Sequence, residues 1–181
     1  MKTLVIAAHP DDEILGVGGT ILRRIAEGNE VYVLIVCDCL SPRNDSKTRD
    51  KVRETAREVS KKLGVRKLFH IFLGTDTNQR LDEIPFKEVI GKIEQIIDKI
   101  RPNEIFTHNP TDWNTDHQVL FNATISATRT LYKNYPQKIH CYEVPSSTEQ
   151  APNMKDYSFV PNKFVNIESY LKNKIKLFSL Y

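Results

Sequence analysis

Apolar and polar positions alternate along this chain with two different periods. Thr3 to Ala8 is a nearly all-apolar run between Lys2 and His9-Pro10-Asp11-Asp12, the pattern of a short strand buried on both faces. From Ile14 to Glu27 the apolar residues Ile14, Leu15, Ile21, Leu22 and Ile25 recur at helical spacing until Gly28-Asn29 stops them. Glu30 to Val36 reads as the second strand. Lys47 to Lys62 places Val52, Ala56, Val59 and Leu63 under a charged face, and Gly64 closes that helix. Arg66 to Leu73 is the third strand. Pro85 opens a helix through Ile90, Ile93, Ile97 and Ile100, ended by Arg101-Pro102. Glu104 to Thr107 is a short strand, Asp116 to Leu131 a helix and Lys138 to Val144 a fifth strand. Ile167 to Ser179 is a last helix with Leu171, Ile175 and Phe178 on one side.

Strand and helix alternate throughout, so the expected fold is α/β: a Rossmann-like, doubly wound and mostly parallel sheet flanked by helices, with right-handed crossovers. The chain of 181 residues fits one domain spanning 1–181, and no internal repeat divides it. Ser146 to Pro161 is the one long loop without a period, and such loops often bind ligands.

Composition narrows the function classes. Lys and Arg exceed Asp and Glu by three and are spread over helix faces, so nucleic acid is not implied. The basic residues are densest from Lys47 to Lys67, which suits an anionic small ligand or a solvated helix face equally. The three cysteines, Cys37, Cys39 and Cys141, form no paired framework, which points to a reducing, cytoplasmic compartment. Cys37-Asp38-Cys39 has no second pair with which to build a zinc site. No apolar run is long enough to span a membrane, and Met1-Lys2 leads straight into a strand instead of a signal peptide.

In open α/β sheets ligands gather at the carboxyl ends of the strands. Two clusters fall there: His9-Pro10-Asp11-Asp12-Glu13 after the first strand, and Asp112-Trp113-Asn114-Thr115-Asp116-His117 after the fourth. His9, Asp12 and His117 make a three-ligand set that leaves one position open for water, the mark of a catalytic metal site. Zinc suits these donors; a two-His, one-carboxylate face also suits Fe2+ or another divalent metal, and spacing does not separate them. Asp11, beside Asp12, can act as a base while its neighbour binds metal. The competing reading is that Asp11, Asp12 and Glu13 only cap the helix that follows.

Ala8-His9-Pro10-Asp11-Asp12-Glu13, then Gly16-x-Gly18-Gly19, then Pro110-x-Asp112-x-Asn114-x-Asp116-His117, resembles the LmbE/PIG-L family of zinc N-deacetylases over essentially the whole chain. The resemblance implies removal of an acetyl group from an N-acetylglucosamine-like conjugate. His9, Asp12 and His117 then hold Zn2+, Asp11 serves as general base and afterwards as acid, and Asn114 and Asp116 complete the catalytic set. The commoner family pattern has His-x-Asp-His where this chain has Asn114-Thr115-Asp116-His117. That first His is thought to hold the oxyanion, oriented by the Asp after it. Asn114 donates a hydrogen bond but carries no charge, and losing a charged donor costs on the order of 2–4 kcal/mol of transition-state stabilisation by analogy with an oxyanion hole. Relatives usually continue beyond the last helix, so part of the substrate wall is expected to be missing here or supplied by another subunit. A homo-oligomer is in keeping with the family.

For substrate contacts the resemblance and the rim placement together nominate Asp76 and Arg53, with Arg49 near the latter, and Trp113 offers a ring for a sugar face. Asp38 ends the second strand on the same rim. His70, His108 and His140 read as structural histidines, and His108 is expected to fix its own loop backbone. Gly16 to Gly19 lacks phosphate-loop spacing and reads as close backbone packing. The alternative to a deacetylase is a catalytically weak or inactive module of the same fold that binds metal or sugar.

Overall fold

The computed structural model describes residues 1–38, 46–71, 80–129, 135–152 and 157–181. Its elements run β1 (Lys2–Ala7), α1 (Asp12–Ala26), β2 (Glu30–Ile35), α2 (Ser46–Leu63), β3 (Lys67–His70), α3 (Phe86–Ile100), β4 (Glu104–His108), α4 (Thr115–Ala127), β5 (Lys138–Tyr142) and α5 (Glu168–Phe178). Short 3-10 turns at Leu81–Glu83 and Thr148–Gln150 precede α3 and follow β5. The five strands form one parallel sheet in the order β3-β2-β1-β4-β5, which is the expected α/β fold.

Alternate residues of β1 feed two cores. Leu4 and Ile6, with Ala8 just past the strand, pack on α3 and α4 through Val89, Ile93, Ile97, Leu120 and Ala123. Val5 and Ala7 pack on α1 and α2 through Ile14, Val17, Ile21, Ala56 and Val59, where Leu177 of α5 joins them. The sheet is thus covered on both faces, which is why its central strands read as continuous apolar runs. Among the described residues no helix is long and apolar enough to cross a membrane.

The end of the chain departs from the expected pattern. Leu171, Ile175 and Phe178 of α5 are exposed, and the helix turns Leu177 inward. The half-buried Lys174 lies on the same side and donates from Nζ to the Leu15 carbonyl at 2.7 Å, tying α5 to α1. Spacing alone identified an apolar stripe; packing against α1 chose the other face. The fourth helix also stops short of Leu131, which lies outside the described residues. Thr128 bonds from Oγ1 back to the Thr124 carbonyl at 2.8 Å where the helix closes.

Gly16 and Gly19 serve close packing. A Cβ at Gly16 would stand 2.4 and 2.7 Å from Tyr142 ring carbons, and one at Gly19 would stand 2.6–2.8 Å from the Ile167 side chain. Tyr142 has little room to move, because its hydroxyl donates to the Ile6 carbonyl at 2.9 Å. Gly16→Ala is therefore expected to cost about 1–3 kcal/mol. Thermal melts should fall by about 2–4 °C per kcal/mol, and an unchanged melting temperature would contradict the close approach.

Glu104, at the start of β4, is buried and accepts hydrogen bonds from Thr3 Oγ1 at 2.9 Å and Arg24 Nε at 2.8 Å. Burial opposes its charge, but Arg24 and Thr3 outweigh burial and hold the carboxyl below its usual range. Because the folded-state pKa is the lower one, the interaction is fully present above the unfolded pKa of about 4.3 and is lost as pH falls through the folded value. Between about pH 5 and pH 3 the wild-type melting temperature should thus fall more steeply than that of Glu104→Gln. Parallel slopes would remove Glu104 as a source of acid sensitivity.

Candidate metal centre

The strand order reverses direction at β1 and β4. Chain continuing from β1 builds the β2–β3 side of the sheet, and chain continuing from β4 builds the β5 side. Loops leaving two adjacent strands in opposite directions open a crevice at their carboxyl ends. His9, Asp11 and Asp12 follow β1, and Trp113, Asn114 and His117 follow β4. These six, with Ser146, Ser147 and Gln150 from the loop after β5, line a cavity of about 240 Å³. A larger hollow of about 560 Å³ lies along β5 beside Phe164 and Lys174, away from this cluster.

At the cavity floor three donor atoms meet. His9 Nδ1 and Asp12 Oδ2 are 3.4 Å apart, His117 Nε2 and Asp12 Oδ2 3.2 Å, and His117 Nε2 and His9 Nδ1 3.3 Å. Ligands bonded at ~2.0–2.1 Å to a tetrahedral zinc stand about 3.3 Å from one another, so this triangle has the edge such an ion requires. Two other groups of metal-binding type are close by, His9-Cys37-Asp116 and His108-Asp112-His117. Cys37, Asp116, His108 and Asp112 do not line the cavity, so only the first group has all its members facing open space.

Each imidazole of the triangle is held from behind by a carboxylate. Asp116 Oδ2 lies 2.9 Å from His9 Nε2, while its Oδ1 accepts from the Leu81 backbone N–H at 2.9 Å. Asp112 Oδ1 lies 3.2 Å from His117 Nδ1, while its Oδ2 accepts from Ser147 Oγ at 2.9 Å and Thr148 Oγ1 at 2.6 Å. Such outer carboxylates fix ring orientation in metal sites. The charges agree with that arrangement. Burial disfavours protonated His9, but Cys37, Asp116 and Asp12 raise its pKa well above the usual value. Burial works the same way on His117, and Asp112 and Asp12 bring it up to about 9. The acids therefore favour positive charge where the three donors meet, which is what a divalent cation needs.

Asp116, which in the family pattern orients a His that this chain lacks, stands here in contact with His9. Asn114 instead caps α4: its Oδ1 accepts from the Asp116 N–H at 2.9 Å, and its own N–H donates to Asp112 Oδ1 at 2.9 Å. Asp11 occupies the N-cap position of α1, yet its side chain makes no capping hydrogen bond. Its backbone has φ of 115°, a conformation that costs a non-glycine residue about 1–3 kcal/mol. Burial, and then the neighbouring Asp12 carboxylate, push the Asp11 carboxyl up to about 7.

Trp113 lies at the cavity rim, 56% exposed. Arg53 pairs with the buried Asp38, from Nε at 3.1 and 3.2 Å and through Nη2, so its guanidinium ties α2 to the end of β2. Neither Arg53 nor Asp38 lines the cavity, nor does Arg49. Asp76 lies outside the described residues. His108 is fully buried, with its ring stacked on His117 at 3.8 Å between centroids. Its Nε2 accepts the Ala8 N–H at 2.9 Å, so it fixes the backbone of the adjacent strand instead of its own loop. Burial lowers its pKa to about 3 and keeps it neutral. Asp112, Ser147 and Thr148 went unassigned in the sequence. Asp112 sits inside the second motif, but nothing local says that it faces His117.

Known proteins resemble this chain in sequence and in fold. A Bacillus cereus protein named Probable N-acetyl-alpha-D-glucosaminyl L-malate deacetylase 2 is 30% identical over 161 residues, covering 81% of this chain and 69% of that one. The Uncharacterized deacetylase YaiS of Escherichia coli is 29% identical over 178 residues, covering 95% and 85%. The crystal structure of the conserved protein TT1542 from Thermus thermophilus superposes with a TM-score of 0.75 at 23% identity, covering 99% of this chain and 77% of that one. The model of the PIG-L family, described as GlcNAc-PI de-N-acetylase, matches residues 4–128, which contain both halves of the donor triangle, and the chain belongs to that family.

Proposed function

We propose that the protein is a zinc-dependent deacetylase that hydrolyses the N-acetyl group of an N-acetylglucosamine-like conjugate. The observation that carries this reading is the triangle of His9, Asp12 and His117 at the floor of an open cavity, with Asp11 beside it and outside the donor set. Support for the substrate class comes from the PIG-L family and from the deacetylases among its relatives. Fe2+ fits the same donors, and the choice between the two metals rests on availability as much as affinity.

When bound, zinc supplies a Lewis acid that polarises the acetyl carbonyl and lowers the pKa of water from ~15.7 to about 7. The residues supply the rest. Asp11 accepts a proton as the attacking water bonds to the acetyl carbon. The carbon–nitrogen bond then breaks, the same carboxyl returns the proton to the departing amine, and acetate and a free amino sugar remain. A carboxyl near neutrality suits both halves of that transfer. Asn114, with Oδ1 spent on the helix cap, has its amide N–H groups left to donate towards the acetyl oxygen. Trp113 offers a ring to the apolar side of a sugar, and Ser146, Ser147 and Gln150 offer polar groups to its hydroxyls.

The capped Asn114 also favours a second reading, a module that binds metal and sugar without turnover. Acetate release from a panel of N-acetylhexosamine conjugates separates the two. The deacetylase reading expects release by the zinc-loaded protein, loss on chelation and recovery when zinc is returned. Zinc retention with no acetate from any conjugate would favour the binding module.

A further inference from the structure

Behind Asp11 lies a buried acid that plays no part in the chemistry just described. Glu13 is fully buried, and among the described residues no cation pairs with it. Its two oxygens have separate partners. Oε2 accepts the Asp11 backbone N–H at 3.0 Å, and Oε1 accepts the Tyr181 hydroxyl at 2.7 Å. Burial pushes the Glu13 carboxyl up to about 7. An unpaired buried carboxyl is a costly way to fill space, and its position accounts for it: it clamps the one peptide N–H that belongs to the residue with φ of 115°.

The other supports of this turn leave that N–H untouched. Ile14 and Leu15 donate to the Asp11 carbonyl at 3.0 and 2.9 Å, and His9 N–H donates to Asp12 Oδ2 at 2.9 Å. Among the described residues only Glu13 holds the peptide that leads into Asp11 from Pro10. Glu13 is in turn oriented by a residue from the far end of the chain, carried there by α5, which Lys174 fastens to α1.

We propose that Tyr181 is a positioning residue for Asp11, acting through Glu13: the hydroxyl holds the carboxyl, and the carboxyl holds the Asp11 peptide in the conformation that aims its side chain into the cavity. This inference rests on the reading of Asp11 as the base.

The test compares wild type with Tyr181→Phe, which removes one oxygen, and with Glu13→Gln, whose carboxamide oxygen can serve only one of two donors placed on separate atoms. Two readouts are taken on zinc-loaded protein: deuterium exchange of the Asp11 amide by NMR, and kcat and KM for acetate release. Both variants are expected to exchange the Asp11 amide at least about tenfold faster and to lose roughly tenfold in kcat with KM and zinc content unchanged, since small misplacement of a base costs turnover more than binding. A purely structural Tyr181 would lower the melting temperature and leave both readouts alone. Unchanged exchange in Tyr181→Phe overturns the clamp, and faster exchange with unchanged kcat overturns its role in positioning. If wild type releases no acetate, the deacetylase reading fails, and the exchange measurement still decides whether Tyr181 holds Asp11.

Discussion

Asp11→Asn is expected to lower acetate release about 10²–10⁴-fold while the protein still binds one zinc per chain, the range a general base contributes. The substitution keeps the size of the side chain, and Asn tolerates positive φ much as Asp does, so the turn before α1 should survive. Asp11 is not one of the three atoms of the donor triangle, whose sides of 3.2–3.4 Å are set by His9, Asp12 and His117. What the carboxamide cannot do is accept the proton of the attacking water. Turnover and metal content measured side by side check this. Loss of zinc together with activity would make Asp11 a ligand, and undiminished turnover would mean that another group is the base.

His117→Ala should abolish both zinc retention and acetate release. The imidazole supplies one corner of the triangle and is stacked on His108, so alanine removes a ligand and opens a gap in the cavity floor. A ligand that binds only the folded state at about 100 times its Kd stabilises it by about 2.7 kcal/mol. Wild-type melts should therefore move upward with zinc, and those of the variant should not. Asp112→Asn gives a graded version, because outer carboxylates are worth about 10–100-fold in metal affinity. A variant at position 117 that kept its zinc and its thermal response would place the metal elsewhere, at the neighbouring group of His9, Cys37 and Asp116 that does not use His117.

Much of the fold was legible because local spacing reports local burial. Strands such as Lys2–Ala7 and Glu30–Ile35 are almost wholly apolar after their first residue, and Phe86–Ile100 is marked by isoleucines at helical intervals after Pro85. The two histidine motifs were also legible, since each follows a strand and an α/β sheet brings strand ends together. Less was legible where a pattern permits two outcomes. The stripe of Leu171, Ile175 and Phe178 is real but faces outward, because the competition between two faces of α5 was settled by the fit of Leu177 and Lys174 to α1. Asp116 was legible as a member of the second motif, but its contact with His9 was not, since that depends on where the turn at Leu81 lies.

By itself the sequence determined the alternation of strands and helices, the placing of His9, Asp11, Asp12 and His117 at strand ends, and hence a family and a class of chemistry. Only the tertiary structure decided which hydrogen bonds surround those residues: Asp112 with Ser147 and Thr148, Asp116 with Leu81, and Glu13 with Tyr181. The reason is physical. Periodicity and motifs record what a segment needs from its immediate neighbours. A hydrogen bond between residues 168 positions apart forms only once the sheet has ordered its strands and the helices have chosen their faces.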